Sequence, residues 1–238
     1  MITSYVALDL ETSGLNPVED NILEVGAVKV EDNKVIDTYQ TFVKFDGKIN
    51  ARIHELTGIT DAMVSQGKSI EAALEDVFGF CKDYILLGHN IKFDFSFLKA
   101  KAVKTNKNFA ARGIDTLKIA RKVLPDIKKR SLEYLGGYYQ IETNASHRAL
   151  DDAYTAMKLY RIFQSEYSHI PEVFEPAELV YKVKKESPVT TAQKGYLNDL
   201  LKYHKIKIKL NMDGLTKSEA SKLIDSIILK YGKIRRFH

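Results

Sequence analysis

The chain has 238 residues, 45% apolar and 28% charged, with 36 Lys+Arg against 31 Asp+Glu and a net charge of +5. That composition excludes wholesale disorder and collagen-like repeats, and the length suits one ordinary domain, or one plus a small appendage. A single cysteine, Cys81, excludes an intramolecular disulfide and a cysteine-based zinc site.

In chain order, Ser4–Leu10, Ile22–Val30 and Lys34–Phe45 are rich in Val, Ile, Tyr and Thr and predict three consecutive strands. No signal-peptide pattern precedes them, and no apolar run approaches the ~20 residues that span a bilayer, so the expectation is a soluble, cytoplasmic protein with no membrane partner. Ser69–Asp83 places Ile70, Ala73, Leu74, Val77, Phe78 and Cys81 at amphipathic-helix spacing, with Cys81 in the core. Tyr84–Gly88 predicts a short buried strand, and helices follow at Phe93–Val103, Asp115–Leu124, Ser131–Tyr139 and Arg148–Glu166. Strands first, then helix and strand in alternation, predict an α/β fold with a mixed sheet flanked by helices.

Pro171, Pro176 and Pro188 predict a linker over 169–189, after a domain of 1–168 and before a small, mainly helical basic module of 190–238. In that module Thr191–Tyr203 and Thr216–Tyr231 read as helices around Ile206–Leu210, with Thr216 and Glu219 forming a capping box. Dividing the chain near the prolines divides its charge. Residues 177–238 hold 14 Lys+Arg against 6 Asp+Glu, a net +8; residues 1–176 hold 22 against 25, a net −3. Such asymmetry points to nucleic acid or another anionic surface.

Three acidic clusters carry the chemistry. Asp9 and Glu11 share one face of the first strand, opposite Leu8 and Leu10, and two carboxylates so placed repel unless a cation lies between them. A solvated strand end is the competing reading. Asp94, among Phe93, Phe95, Phe97 and Leu98, needs a partner, a metal or a proton; otherwise it is a first-turn aspartate on the surface. On the last long helix, Ala149, Ala153, Ala156, Tyr160 and Phe163 form the core stripe, which puts Asp152 at its inner edge and Asp151 in solvent. His147 precedes that helix and is expected on a mobile loop over the site, an inert loop histidine being the alternative.

Asp9-x-Glu11-Thr12, His89-Asn90-x3-Asp94 and His147-x4-Asp152 resemble, in order and spacing, the three motifs of the DEDD exonuclease superfamily, in its DEDDh branch. Leu56-Thr57-Gly58-Ile59-Thr60 and Asp115-Thr116-Leu117 resemble recurrent family stretches. The likeness covers residues 4–166 and is to proofreading ε-type subunits of bacterial DNA polymerase III and their free-standing relatives.

The resemblance implies a ribonuclease H-like fold and 3′→5′ removal of nucleotides from DNA by two-metal-ion hydrolysis, in proofreading or repair. Asp9, Glu11, Asp94 and Asp152 would be metal ligands for two Mg²⁺ or Mn²⁺ ions, and His147 the general base. Thr12, Gly14 and Leu15 would lie against the terminal nucleotide, as would Asn90 and Phe93, turn formation or core packing being the alternative for each; His54 and His89 would line or buttress the cleft. The partner would be nucleic acid with a free 3′ end, DNA ahead of RNA, together with a DNA polymerase. An exoribonuclease is the alternative of the same class, and a non-catalytic nucleic-acid- or polymerase-binding module that of another. For the C-terminal module, Lys202, Lys205, Lys207, Lys209, Lys230, Lys233, Arg235 and Arg236, with Tyr203 and Tyr231, suggest a grip on nucleic-acid backbone, or else a solvated basic face.

Overall fold

The three Val/Ile/Tyr-rich segments pair as an antiparallel meander, β1 (Tyr5–Thr12), β2 (Ile22–Glu31) and β3 (Lys34–Phe42), in the computed structural model, which describes residues 1–142, 147–183, 187–208 and 210–234. β4 (Leu86–Gly88) and β5 (Arg112–Asp115) run parallel to β1, and β6 (Ala177–Glu178) closes the edge antiparallel to β5. The order β3-β2-β1-β4-β5-β6 is the expected mixed sheet, with β1 at its centre.

Period-two alternation assigns β1's faces. Val6, Leu8 and Leu10 pack under α3 (Ile70–Cys81) and α4 (Lys92–Lys104). Tyr5 and Ala7 pack against α5 (Thr116–Val123), α6 (Leu132–Tyr138) and α7 (Ala149–Glu166). Cys81 is buried on α3, and burial pushes its thiol up to about 12. Two short helices, α1 (Ala51–Thr57) and α2 (Asp61–Ser65), were not expected from sequence; five to seven residues give too little periodicity to read.

The stretch expected to be a linker folds in large part. Pro171–Phe174 makes a 3₁₀ turn whose Phe174 is buried against the α7 face, and β6 follows Pro176 directly. Proline suits the first turn of a helix and the start of an edge strand, so here it punctuates packed chain. The chain divides into compact units at Val183/Lys184, inside that stretch. The second unit contains α8 (Thr191–Tyr203) and α9 (Lys217–Tyr231), packed through Leu197, Leu200, Ile224 and Ile227. Both helices start in capping boxes, Thr190 with Gln193 and Thr216 with Glu219. Among the described residues, no helix is long and apolar enough to cross a membrane.

One glycine lets α7 reach the sheet. A Cβ on Gly26 would lie 2.1 Å from the backbone of Ala149 and Leu150 at the start of α7. Gly26→Ala is therefore expected to cost roughly 1–3 kcal/mol, the range of core overpacking. The unfolding midpoint should fall by about 2–4 °C for each of them, measurable by thermal scan. The geometry of the site described next should loosen with it, because α7 carries one of its carboxylates.

Candidate active site

Asp9, opposite Gly26, and Glu11, opposite Glu24, stand on the α7 face near the C-terminal end of β1. A register shift between Glu11 and Thr12 turns the chain out of the sheet there, as bulges beside functional sites do. Because α7 begins directly over Gly26, its first turn brings Asp152 to the same place. One carboxylate oxygen each from Asp9, Glu11 and Asp152 lies within 4.8 Å of the others. Among the described residues this is the group of acidic and imidazole side chains that could share a metal ion. It lies outside the carboxyl end of a central strand with antiparallel β2 on one side and parallel β4 on the other, where open α/β sheets hold ligands.

Asp94 stands beside this trio, not within it. It is 3% exposed, and its Oδ1 accepts the Leu10 N–H at 3.0 Å. That donor extends the row begun by Val6 N–H on Ile85 O, beyond the point where β4 ends. The partner that its apolar neighbours demanded is thus the backbone of β1. Asp94 nonetheless faces Asp9 and Glu11 closely enough for their charges to oppose one another.

His147 lies just ahead of α7, at φ 61, and both its charge and a backbone hydrogen bond act on Asp152. Residues 143–146 of the expected loop lie outside the described residues. Asp151, expected in solvent, is half-buried.

Of the residues expected at the terminal nucleotide, Thr12, Gly14, Leu15 and Phe93 line a cleft of about 480 Å³ that also takes in Leu10 and Glu11. Thr12 Oγ1 donates to Gly14 O at 2.7 Å, closing the turn that presents Leu15, 84% exposed. The opposite lining, Asn50, Arg52, Ile53 and Leu56, comes from α1 and was not anticipated beyond Leu56 and Thr57 as a recurrent stretch. Asn90 does not line this cleft; it sits at φ 72 and donates its backbone N–H to Asp115. His89 does not line it either and is bonded to Thr116 Oγ1 at 2.9 Å and to Arg130 O at 2.8 Å. His54 is bonded to Ile59 O at 3.0 Å.

Glu24 and Arg148 join the site unanticipated from sequence. Glu24 is 0% exposed and accepts from Arg148 at 2.8 and 3.1 Å and from Gln40 at 2.7 Å. It also faces the Ala149 N–H at 3.4 Å, and α7 has no side-chain cap of its own. A residue of β2 thus holds the start of the helix that carries Asp152. The available signal was a glutamate inside the apolar run Ile22-Leu23-Glu24-Val25. Arg148→Ala would strand a buried carboxylate beside Glu11, and breaking such a pair costs roughly 3–5 kcal/mol. Arg148 is partly exposed, so the lower figure is expected in urea unfolding. Adding Glu24→Gln should recover much of the loss.

Burial, the largest cause, and the neighbouring Asp152 and Glu24 push Glu11 from 4.5 up to about 8, against the lowering effect of Arg148. Burial likewise raises Asp152 from 3.8 to about 6, opposed by His147. Asp9 is raised by burial first and then by Asp94, Glu11 and Asp152. A carboxyl raised on folding binds its proton more tightly in the native state, so the stability it contributes is present below its unfolded value and lost as pH rises. For Glu11 the window is pH 4.5 to about 8. In EDTA the unfolding midpoint should fall across that window more for the wild type than for Glu11→Gln, and Mg²⁺ should restore it most at pH 8. Three crowded carboxylates, each raised above its ordinary value, are the donor set that a hard divalent cation relieves.

Over residues 6–160 the chain matches the family described as Exonuclease, of RNase T type. It is 36% identical over 156 residues to a PolC-type DNA polymerase III of Caldanaerobacter subterraneus, covering 66% of this chain but 11% of that much longer protein. It is 35% identical over 158 residues to the DNA polymerase III subunit epsilon of Aquifex aeolicus, covering 66% of this chain and 78% of that one. The nuclease domain of 3′hExo, a DEDDh family member bound to rAMP, has the same fold, with a TM-score of 0.61 at 19% identity over 75% of this chain and 98% of that chain. The chain belongs to the RNase T-type exonuclease family, and its first unit has the fold of a DEDDh exonuclease.

Proposed function

We propose that this protein is a metal-dependent 3′→5′ exonuclease that removes nucleotides from the 3′ end of DNA, in proofreading or repair, alongside a cytoplasmic DNA polymerase. The observation that carries the reading is the convergence of Asp9, Glu11 and Asp152 within 4.8 Å, with His147 acting on Asp152. Asp9, Glu11 and Asp152 would hold one divalent ion, Asp9 would reach a second, and Asp94 would assist. An all-carboxylate set selects Mg²⁺ or Mn²⁺. Such ions, when bound, lower the pKa of water and neutralise charge on the phosphate and the leaving 3′ oxygen.

The chain's own groups do the rest. His147, ahead of α7, accepts the proton of the attacking water, the task to which imidazole is suited at neutral pH. Asp94, bonded to the Leu10 N–H, ties α4 to the end of β1 and so fixes Asp9 and Glu11. Thr12, Gly14 and Phe93 form the floor of the cleft for the last nucleotide, and Leu15 projects as an apolar wedge against its base. Asn90, in the turn ahead of α4, would meet the strand from outside that cleft.

DNA is favoured by the polymerase relatives, whereas the related fold bound to rAMP keeps an exoribonuclease in view. The test is hydrolysis of matched DNA and RNA oligomers in Mg²⁺. Faster loss from the DNA supports this reading; faster loss from the RNA replaces DNA by RNA as the substrate.

A further inference from the structure

We propose that the second unit, residues 184–238, is a binding module for single-stranded nucleic acid, built on the end of the helix pair where α8 and α9 both terminate. The core stripe of α9, Ala220, Ile224 and Ile227, continues in helical register to Tyr231, and α8 ends in Tyr203. Neither ring is buried: Tyr203 is 45% and Tyr231 47% exposed. His204 lies between them, its ring 4.8 Å from Tyr203 and 5.6 Å from Tyr231, and it is held to Gly232 O at 2.9 Å. The result is a fixed cluster of three rings at the surface. Beside it is a recess of about 790 Å³ lined by Tyr196, Asp199, Lys202, Tyr203, Lys233 and Ile234.

Cations stand beside the cluster: Lys202 and Lys233 line the recess with Tyr203, and Lys230 Nζ lies 5.2 Å from the centre of the Tyr231 ring. Lys202, Lys205, Lys207, Lys230 and Lys233 are exposed, and among the described residues none of them is in an ion pair. Lys209, Arg235 and Arg236 lie outside the described residues. Lysines in a last helical turn offset the helix dipole, which accounts for Lys202 and Lys230. It does not account for Lys205, Lys207 or Lys233, which lie past the helix ends. The unit carries 13 Lys+Arg against 5 Asp+Glu, and the one carboxylate in the recess, Asp199, is outnumbered there. Exposed rings on which bases stack, flanked by cations that track the phosphates, are what single strands recognise without regard to sequence. An acidic peptide would be drawn by the charge but has no bases for the rings.

The proposal goes beyond the exonuclease reading and is tested apart from it, on the full chain in EDTA, by fluorescence anisotropy with 5′-labelled oligo(dT). The wild type should bind with steep salt dependence. Replacing Lys202, Lys205, Lys230 and Lys233 together by Gln should lower the salt slope by about 3, at ~0.7 per phosphate contact. Tyr203→Ala should weaken binding roughly tenfold with the slope unchanged, since stacking carries no counterion release. Circular dichroism should show both variants folded, because all five side chains are exposed. Cleavage of a trinucleotide in Mg²⁺ should remain at the wild-type rate. Wild-type affinity and slope in the lysine variant would overturn the proposal, as would displacement of oligo(dT) by polyglutamate of equal charge. Failure of the exonuclease reading would show separately, as no cleavage by a protein that still binds.

Discussion

If the proposed function holds, Asp9→Ala is expected to retain no more than about 1% of wild-type 3′-end hydrolysis at saturating Mg²⁺. An outer partner of a metal ligand is worth roughly 10–100-fold, and a residue placed to hold the metal directly is worth at least the upper figure. Asp9 stands among other carboxylates: Asp94, Glu11, Asp152 and Glu24 all act on it. Its removal therefore has a second, opposite effect. In EDTA the variant should unfold at a higher temperature than the wild type, because one of the crowded carboxylates is gone and the others repel less. Activity measured at the 3′ end and a thermal scan in EDTA check both signs together. A merely misfolded variant would lose both.

His147→Ala is expected to lower kcat by roughly 10²–10⁴, the range for loss of the general base proposed above. Metal affinity, read by Mn²⁺ titration, should be nearly unchanged, because the imidazole stands outside the carboxylate trio. The backbone at this residue is left-handed, φ 61, where alanine is mildly strained and asparagine is tolerated. His147→Asn is thus the control for backbone effects: it should be as inactive as alanine. The deficit of both should shrink at high pH, where hydroxide replaces the missing base.

The sequence made legible what obeys a local period. Alternation on β1 put Asp9 and Glu11 on one face, and helical arithmetic put Asp152 at the inner edge of α7, both as found. What it concealed depends on contacts between distant residues. Glu24 meets Arg148 across 124 positions, and Asp94 meets Leu10 across 84. Gly26 carried a hint, since glycine inside a strand often marks close approach of another backbone, but the identity of that backbone is a tertiary fact. The prolines misled in the other direction, because Pro171 and Pro176 start packed elements as readily as they interrupt chain. The cleft wall supplied by α1 was hidden because seven residues do not declare a helix.

The most direct test of the account follows the two ends of one strand. An oligodeoxynucleotide labelled separately at its 3′ and 5′ ends is incubated with the full chain in Mg²⁺ and in EDTA, and the products are sized over time. For a metal-dependent 3′→5′ exonuclease the 3′ label should leave first, as a mononucleotide, only in Mg²⁺, and not with Asp9→Ala. Internal fragments, release from the 5′ end, or hydrolysis that survives EDTA would contradict it.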